Sequence, residues 1–130
     1  MKTIITNMCL IKNSEGKLLF LNRKKSTWPG ITFPGGHVEN NETYLESVVR
    51  EIKEETNLDI YDVKYVGKYE WNSNFPQTKE IGLFYFTSSF KGELKSSIEG
   101  ECFFAYLKDI NKDNYSLDFD IILNLYKDYL

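Results

Sequence analysis

Residues 34–58, PGGHVENNETYLESVVREIKEETNL, contain the features that decide the fold. Apolar residues in this stretch recur at i, i+3, i+4 and i+7, at Leu45, Val48, Val49 and Ile52. The spacing predicts an amphipathic helix over residues 43–56. Thr43 and Glu46 have the spacing of a capping box at the start of that helix. The helix follows Pro34-Gly35-Gly36, a glycine-rich segment whose backbone can approach a ligand closely.

Glutamates near the end of this helix form a cluster that is unfavourable in isolation. Glu51, Glu54 and Glu55 share an arc of about 100° beside the apolar stripe. Glu51 and Glu55 are a like-charge pair at i, i+4, and they lie where the helix dipole disfavours anions. Arg50, at i−4 from Glu54, compensates locally. The cluster is either a solvated face, with Lys53 nearby, or a set of ligands for a hard divalent cation such as Mg²⁺. The glycine-rich loop in front favours the cation, because a loop carbonyl could complete its shell.

The spacing of these residues matches a known signature. It runs through Gly36, Glu42, Arg50-Glu51-Ile52, Glu54-Glu55 and Asn57-Leu58. The pattern resembles the Nudix box, Gly-x5-Glu-x7-Arg-Glu-U-x-Glu-Glu-x-Gly-U, in which U is aliphatic. It covers 23 of the 130 residues, and one defined position differs, with Asn57 in place of Gly. That position follows the helix and needs a left-handed backbone, which Asn tolerates best after Gly.

The resemblance implies an α/β fold, a Nudix-like α/β/α sandwich with a mixed β-sheet and a catalytic helix after the glycine-rich loop. It also implies Mg²⁺- or Mn²⁺-dependent hydrolysis of a nucleoside diphosphate linked to a further group. Glu51, Glu54 and Glu55 would be metal ligands, and one of them would deprotonate or orient the attacking water. The carbonyl of Gly35 would be a further ligand. Arg50 would orient the glutamates as part of the catalytic group, with Glu42 as a structural partner.

Two other segments resemble bacterial MutT-like 8-oxo-dGTP diphosphatases, residues 28–39 and 92–101. This narrower resemblance implies that an oxidised purine nucleoside triphosphate is cleaved to monophosphate and pyrophosphate. Family members often place an additional acidic ligand before a late strand, and Glu99 and Glu101 both qualify. Either one could instead be an exposed acidic residue of a turn.

Several residues outside the box are candidates for substrate binding, namely Arg23, Trp28, His37, Asp118 and Asp120. Arg23 could contact a phosphate, and Trp28 could stack on a base, although most aromatic residues in a small domain belong to the core. Asp118 and Asp120 could read a purine edge, but we expect at least one of them to cap the last helix. His37 is the only histidine, so a Ser/His or Cys/His nucleophile is poorly supported.

Composition limits the remaining possibilities. We expect residues 1–130 to form a single domain, and the net charge of −3 argues against binding a nucleic-acid polymer through a basic face. No apolar run is long enough for a membrane span, and no secretory signal is evident. Cys9 and Cys102 lie in apolar segments and should be buried, reduced thiols. These features predict a cytoplasmic protein, and the resemblance implies a small nucleotide as the partner of a monomer or homodimer.

Outside the helix over 43–56, the pattern predicts strands over 3–11, 17–23, 60–71, 80–90 and 102–107. We expect an irregular connection over 24–42 and a second amphipathic helix from Leu117 to the end of the sequence.

Two alternatives to the oxidised nucleotide remain. One is a Nudix enzyme for an ordinary dNTP, a dinucleoside polyphosphate, a nucleotide sugar or a capped RNA. The other is a non-catalytic nucleotide-binding module, which is less favoured because all the box glutamates are present.

Overall fold

The computed structural model describes residues 2–25, 27–72 and 77–130, apart from the side chain of Asn72. Its strands are β1 (Lys2–Ile11), β2 (Leu18–Arg23), β3 (Gly30–Thr32), β4 (Asp59–Tyr61), β5 (Lys64–Asn72), β6 (Thr78–Thr87), β7 (Ser89–Lys91) and β8 (Gly100–Ala105). Its helices are α1 (Tyr44–Thr56) and α2 (Phe119–Leu125), with short 3-10 helices at Leu107–Asp109 and Lys112–Asn114. None of the described helices is long and apolar enough to cross a membrane.

The strands form sheets of different character. One sheet has the order β1-β6-β5, with β1 parallel to β6 and β5 antiparallel to β6. The predicted mixed sheet is therefore present. A second sheet, β3-β2-β8, is antiparallel throughout, and β4 pairs with β7.

The second half of β1 and the first four residues of β2 are buried on both faces, because two separate apolar cores lie against them. Cys9, Leu19 and Leu21 face the core that contains Val48 and Ile52 of α1. The alternate residues of both strands face the second core, which contains Phe119, Ile122 and Tyr126 of α2. This two-sided burial explains the continuous apolar run at the start of β2, since such strands do not alternate apolar and polar residues.

Local signals at both ends of α1 are confirmed. The Thr43 side chain accepts a hydrogen bond from the Glu46 N–H, and the Glu46 side chain accepts one from the Thr43 N–H, which completes the capping box. Asn57 ends the helix in the left-handed conformation with φ of 68°. Leu45, however, is 51% exposed, because it lies in the first turn before the stripe reaches the core.

Other element boundaries differ from the prediction. The expected strand over 60–71 divides into β4 and β5 at Asp62, whose φ of 49° breaks the extended backbone. The expected strand over 80–90 divides into β6 and β7, where the Thr87 hydroxyl accepts a hydrogen bond from the Ser89 N–H. Strand β3 lies inside the expected irregular connection. It escaped prediction because it has only three residues.

The second helix is shorter than expected. It begins after Asp118, which has a left-handed φ of 65°, and ends at Leu125. The expectation that Leu117 lies on its apolar face is wrong, because Leu117 precedes the helix and is 72% exposed. The Asp118 side chain makes no capping hydrogen bond, since its left-handed backbone departs from the extended geometry of an ordinary cap. Asp120 lies in the first turn of the helix. Cys9 and Cys102 are free and buried, as predicted.

Candidate active site

The glycine-rich loop is held against β1 by backbone hydrogen bonds. The Cys9 N–H donates to the Pro34 carbonyl at 3.0 Å, and the Asn7 N–H donates to the Gly36 carbonyl at 2.8 Å. Because neighbouring carbonyls alternate in direction along extended backbone, the peptide groups of Gly35 face away from β1. The Gly35 N–H accordingly reaches the Glu55 carboxylate of α1 at 2.7 Å. The role of the Gly35 carbonyl as a metal ligand stays a prediction.

At both glycines of this loop, a side chain would clash with neighbouring atoms. A Cβ at Gly35 would lie 2.0 Å from the Asn7 carbonyl oxygen, so β1 could not approach. A Cβ at Gly36 would lie 2.2 Å from the carboxylate carbon of Glu51. The loop therefore lies directly against the carboxylate cluster, and this contact is possible because glycine has no side chain.

Arg50 connects the loop to four carboxylates. It makes a bidentate contact with Glu42, at 2.9 Å from Nε and 2.7 Å from Nη2, which lowers the pKa of Glu42 to about 2. Its Nη1 donates to Glu51 at 2.9 Å and to Glu54 at 3.2 Å. Its Nη2 also donates to the His37 carbonyl at 3.0 Å and lies 3.8 Å from Glu39. The planar guanidinium group, with its five N–H donors, can bind several carboxylates and a carbonyl at once.

Glu55 and Glu51 are carboxylates in partly dry surroundings. Burial raises the pKa of Glu55 to about 8, the Gly35 N–H and Arg23 lower it, and the charges of Glu51 and Glu99 raise it. Burial also raises the pKa of Glu51, against the opposing effect of Arg50. Buried carboxylates that repel one another are costly to ionise without a cation, and a divalent ion would remove that cost.

The donor set fits a hard divalent cation, although the glutamates do not converge. Within residues 2–25, 27–72 and 77–130, no three histidine, cysteine or carboxylate side chains meet closely enough to hold a metal ion. Arg50 holds Glu51 and Glu54 instead, and Glu55 is bonded to the loop. The available oxygens of Glu51, Glu54, Glu55 and the Gly35 carbonyl are nonetheless the type that Mg²⁺ prefers.

Several predicted residues outside the box lie around this cluster. The charges of Arg23 and Glu99 both act on Glu55. The Arg23 guanidinium lies 5.4 Å from the Trp28 ring centroid, and its Nε donates to the Trp28 carbonyl. Glu99 pairs with Lys25 at 2.9 Å. Trp28 donates its indole N–H to the Leu117 carbonyl, which links it to the start of α2 beside Asp118.

Two candidates lie apart from the others. Glu101 is exposed on β8, where it pairs with Asn22 in the strand register. Asp120 lines a pocket of about 710 Å³ with residues of the two 3-10 helices, among them Leu107 and Lys112. The structure does not bring either carboxylate to the glutamate cluster.

The sequence analysis missed two buried polar residues beside the loop. Asn7 of β1 is 5% exposed and Ser47 of α1 is fully buried. The Gly36 N–H donates to Asn7 Oδ1, and Asn7 Nδ2 donates to Ser47 Oγ. A polar residue among the apolar residues of β1 was the available signal, but its partner lies 40 positions away.

Comparison with known proteins agrees with this geometry. The NUDIX domain family model matches residues 2–119. The chain therefore belongs to the Nudix family, which confirms the resemblance of the sequence motif and the predicted fold class.

Solved structures show the same fold. The MutT NUDIX hydrolase of Burkholderia pseudomallei superposes with a TM-score of 0.83 at 19% identity, covering 96% of this chain and 98% of that chain. The NUDIX domain of Shewanella oneidensis NrtR, solved in complex with ADP ribose, superposes with a TM-score of 0.81 at 13% identity, covering 98% and 88%.

Relatives with higher identity carry other names. An ADP-ribose pyrophosphatase of Methanocaldococcus jannaschii is 37% identical over 87 residues, which are 66% of this chain and 52% of that protein. An m7GpppN-mRNA hydrolase, NUDT17 of Xenopus laevis, is 38% identical over 77 residues, covering 57% and 26%. This chain thus spans about half of the first relative and about a quarter of the second.

Proposed function

We propose that this chain hydrolyses a phosphoric anhydride bond in a nucleoside diphosphate linked to a further group, with Mg²⁺ or Mn²⁺ as cofactor. The observation that carries the proposal is the contact of Gly35 and Gly36 with the carboxylates of Glu55 and Glu51. Family membership and the pyrophosphatase named among the relatives support a hydrolase. The cluster has the oxygen donors for a cation, and it needs no covalent nucleophile.

We assign the cation to Glu51, Glu54, Glu55 and the Gly35 carbonyl. Glu99 is the better candidate for an additional ligand, because its charge acts on Glu55 while Glu101 is exposed on β8. When bound, the cation neutralises the pyrophosphate and lowers the pKa of the attacking water.

The side chains supply the other parts of the reaction. One of Glu51, Glu54 and Glu55 accepts a proton from the water or orients it. Arg50 holds the glutamates in position while they are free of the cation.

We assign substrate contacts to residues near the glutamate cluster. Arg23 contacts a phosphate, since its charge already acts at Glu55. Trp28, His37 and Asp118 contribute contacts to the remainder of the nucleotide.

The preferred substrate proposed from the sequence is an oxidised purine triphosphate such as 8-oxo-dGTP, cleaved to monophosphate and pyrophosphate. A second candidate is ADP-ribose. It is favoured by the Methanocaldococcus jannaschii relative, named as an ADP-ribose pyrophosphatase, and by the ADP ribose bound to the Shewanella oneidensis domain. Both substrates contain the same scissile group, so the cation site is compatible with either.

The test is hydrolysis of 8-oxo-dGTP, dGTP and ADP-ribose with Mg²⁺, with the products resolved by chromatography. A higher kcat/KM for 8-oxo-dGTP than for dGTP, with pyrophosphate released, supports the first candidate. Release of AMP from ADP-ribose at higher efficiency supports the second. The Glu55→Gln variant should be inactive, and Glu70→Gln, an exposed carboxylate on β5, is the matched control. Turnover that survives EDTA, or nucleotide binding without turnover of any substrate, would refute the proposal.

The other properties expected from the sequence stay predictions. These are a single domain over residues 1–130, a cytoplasmic location, a monomer or homodimer, and no binding of a nucleic-acid polymer. The last is tested by including an RNA with a capped end in the substrate panel, because the Xenopus laevis relative is named as an mRNA hydrolase.

A further inference from the structure

A buried polar pair lies between β1 and α1, next to the glycine-rich loop. Asn7 and Ser47 are both almost completely inaccessible, and their side chains are joined by a 2.8 Å hydrogen bond. Apolar side chains at both positions could be buried with no cost for desolvating a polar group. A buried polar pair avoids that cost only if all its polar groups form hydrogen bonds. The pair therefore needs an explanation beyond filling space.

The direction of each hydrogen bond in this pair follows from its partners. The Gly36 N–H can only donate, so the Asn7 oxygen must accept, at 3.1 Å. The Asn7 amide nitrogen then faces Ser47 and donates to its hydroxyl oxygen. The Ser47 hydroxyl donates to the His37 carbonyl at 3.3 Å, and it also interacts with the Glu42 carboxylate. Asn7 and Ser47 thus hold both ends of the Gly36-His37 segment.

The same segment also orients Arg50. The His37 carbonyl accepts hydrogen bonds from both the Ser47 hydroxyl and Arg50 Nη2. The guanidinium group fixed in this way holds Glu51 and Glu54 through Nη1. A continuous set of hydrogen bonds therefore runs from β1, through the loop, to the carboxylates.

We propose that Asn7 and Ser47 are positioning residues for the cation site, which act by fixing the Gly36-His37 segment and, through it, Arg50. The inference rests on the proposed function, because it assigns a role toward the cation of the same site. Without the pair, the loop and the guanidinium group would have several arrangements, and the cation would have to select one of them. The pair acts as one unit because each member satisfies the other.

Ser47→Ala tests the proposal with little change of volume. Its matched control is Ser116→Ala, since Ser116 is also a buried serine and its hydroxyl has no hydrogen-bond partner among the described residues. Mg²⁺ affinity is measured on the substrate-free protein by calorimetric titration and by the Mg²⁺-dependent rise in melting temperature. We expect Ser47→Ala to weaken Mg²⁺ binding by about 10- to 100-fold, the usual effect of removing a group that orients ligands. Ser116→Ala should keep the affinity of the unsubstituted chain.

The double variant Asn7→Leu/Ser47→Ala tests whether the two residues act together or make two independent contacts. We expect its loss of Mg²⁺ affinity to be smaller than the product of the losses of Asn7→Leu and Ser47→Ala measured singly, because residues of one network are not additive. Losses that multiply would overturn the pairing. At saturating Mg²⁺, the activity of Ser47→Ala should return toward that of the unsubstituted chain. The substitution should instead raise the Mg²⁺ concentration needed for half-maximal activity.

Two outcomes distinguish this inference from the proposed function. If the unsubstituted chain binds Mg²⁺ and Ser47→Ala binds it equally well while melting at a lower temperature, the pair is only structural and the inference is wrong. If the unsubstituted chain shows no Mg²⁺ binding in either measurement, the cation site itself is wrong, and the inference fails with it.

Discussion

Glu55 is the residue at which burial and charge oppose each other most clearly. The residue is 4% exposed, and its carboxylate accepts a hydrogen bond from the Gly35 N–H, yet burial still raises its pKa to about 8. An acid with a raised pKa in the folded state binds its proton more tightly there than in the unfolded chain. Its contribution to stability is therefore complete below its ordinary pKa of 4.5 and is lost as the pH rises toward 8.

We expect the protein in EDTA to lose stability between pH 4.5 and 8, by about 1.4 kcal/mol per pH unit at most from Glu55 alone. Glu51 contributes in the same direction, because its pKa is also raised. Denaturant unfolding at several pH values measures the slope. Glu55→Gln should flatten the slope and raise stability near pH 8, whereas a slope unchanged by this substitution would show that Glu55 ionises freely in the folded protein.

Glu54 and Glu55 differ in burial, and a comparison of their glutamine variants separates stability from activity. The Glu54 side chain is 58% exposed in its contact with Arg50, so that ion pair contributes little. Glu54→Gln should leave metal-free stability within about 0.5 kcal/mol. Both variants should lose activity by orders of magnitude, since each loses a cation ligand or the group that activates water. Thermal unfolding with and without Mg²⁺, beside single-turnover hydrolysis, is the measurement. A variant with unchanged rate and unchanged Mg²⁺ stabilisation would place its glutamate outside the site.

At the scale of elements, the glycine-rich loop and α1 are matched by shape. Gly36→Ala would place a methyl group against the Glu51 carboxylate and would displace that carboxylate from its present position. We expect Mg²⁺ affinity to fall by about tenfold or more, with stability changed by less than about 1 kcal/mol. Gly67→Ala is the control, since no atom of the described residues lies within 4 Å of its added Cβ. Equal Mg²⁺ affinity in both variants would show that the loop tolerates a side chain at Gly36.

Elements with local signals could be predicted from the sequence, and elements set by tertiary context could not. Helix α1 has an amphipathic stripe, a capping box and Asn57 at its end, all within 15 residues. The division between β4 and β5 depends on one left-handed residue, Asp62, which no periodicity reveals. The early end of α2 is likewise not visible in its apolar spacing, because Tyr129 still packs against Phe86 from outside the helix.

The candidate site follows the same division. Arg50, Glu51, Glu54 and Glu55 occur within six residues and could be proposed as a group from their spacing. The Asn7–Ser47 pair joins residues 40 positions apart, and the choice of Glu99 over Glu101 depends on how β8 faces α1. Arg50 also donates hydrogen bonds to Glu51 and Glu54, the carboxylates assigned to the proposed cation, which the motif alone does not indicate.

At the scale of the whole molecule, β1 and β2 belong to both apolar cores. Tyr126 illustrates the connection, because its fully buried hydroxyl donates toward the carbonyls of Met8 in β1 and Tyr85 in β6. Helices α1 and α2 pack on opposite faces of shared strands, so neither core can lose its packing without exposing the other. The shared strands predict a single cooperative unfolding transition.

Cavities made in either core test this cooperativity. Ile52 of α1 and Ile122 of α2 are both fully buried, one in each core. We expect Ile52→Ala and Ile122→Ala each to lower the free energy of unfolding by about 2–5 kcal/mol. The transitions should stay single and have the same midpoint by near-UV and far-UV circular dichroism. Leu45→Ala, at a residue 51% exposed on α1, is the control and should change stability by about 0.5 kcal/mol or less. A biphasic transition in either isoleucine variant would show that the two cores unfold separately, and that β1 and β2 do not transmit the loss of packing from one face to the other.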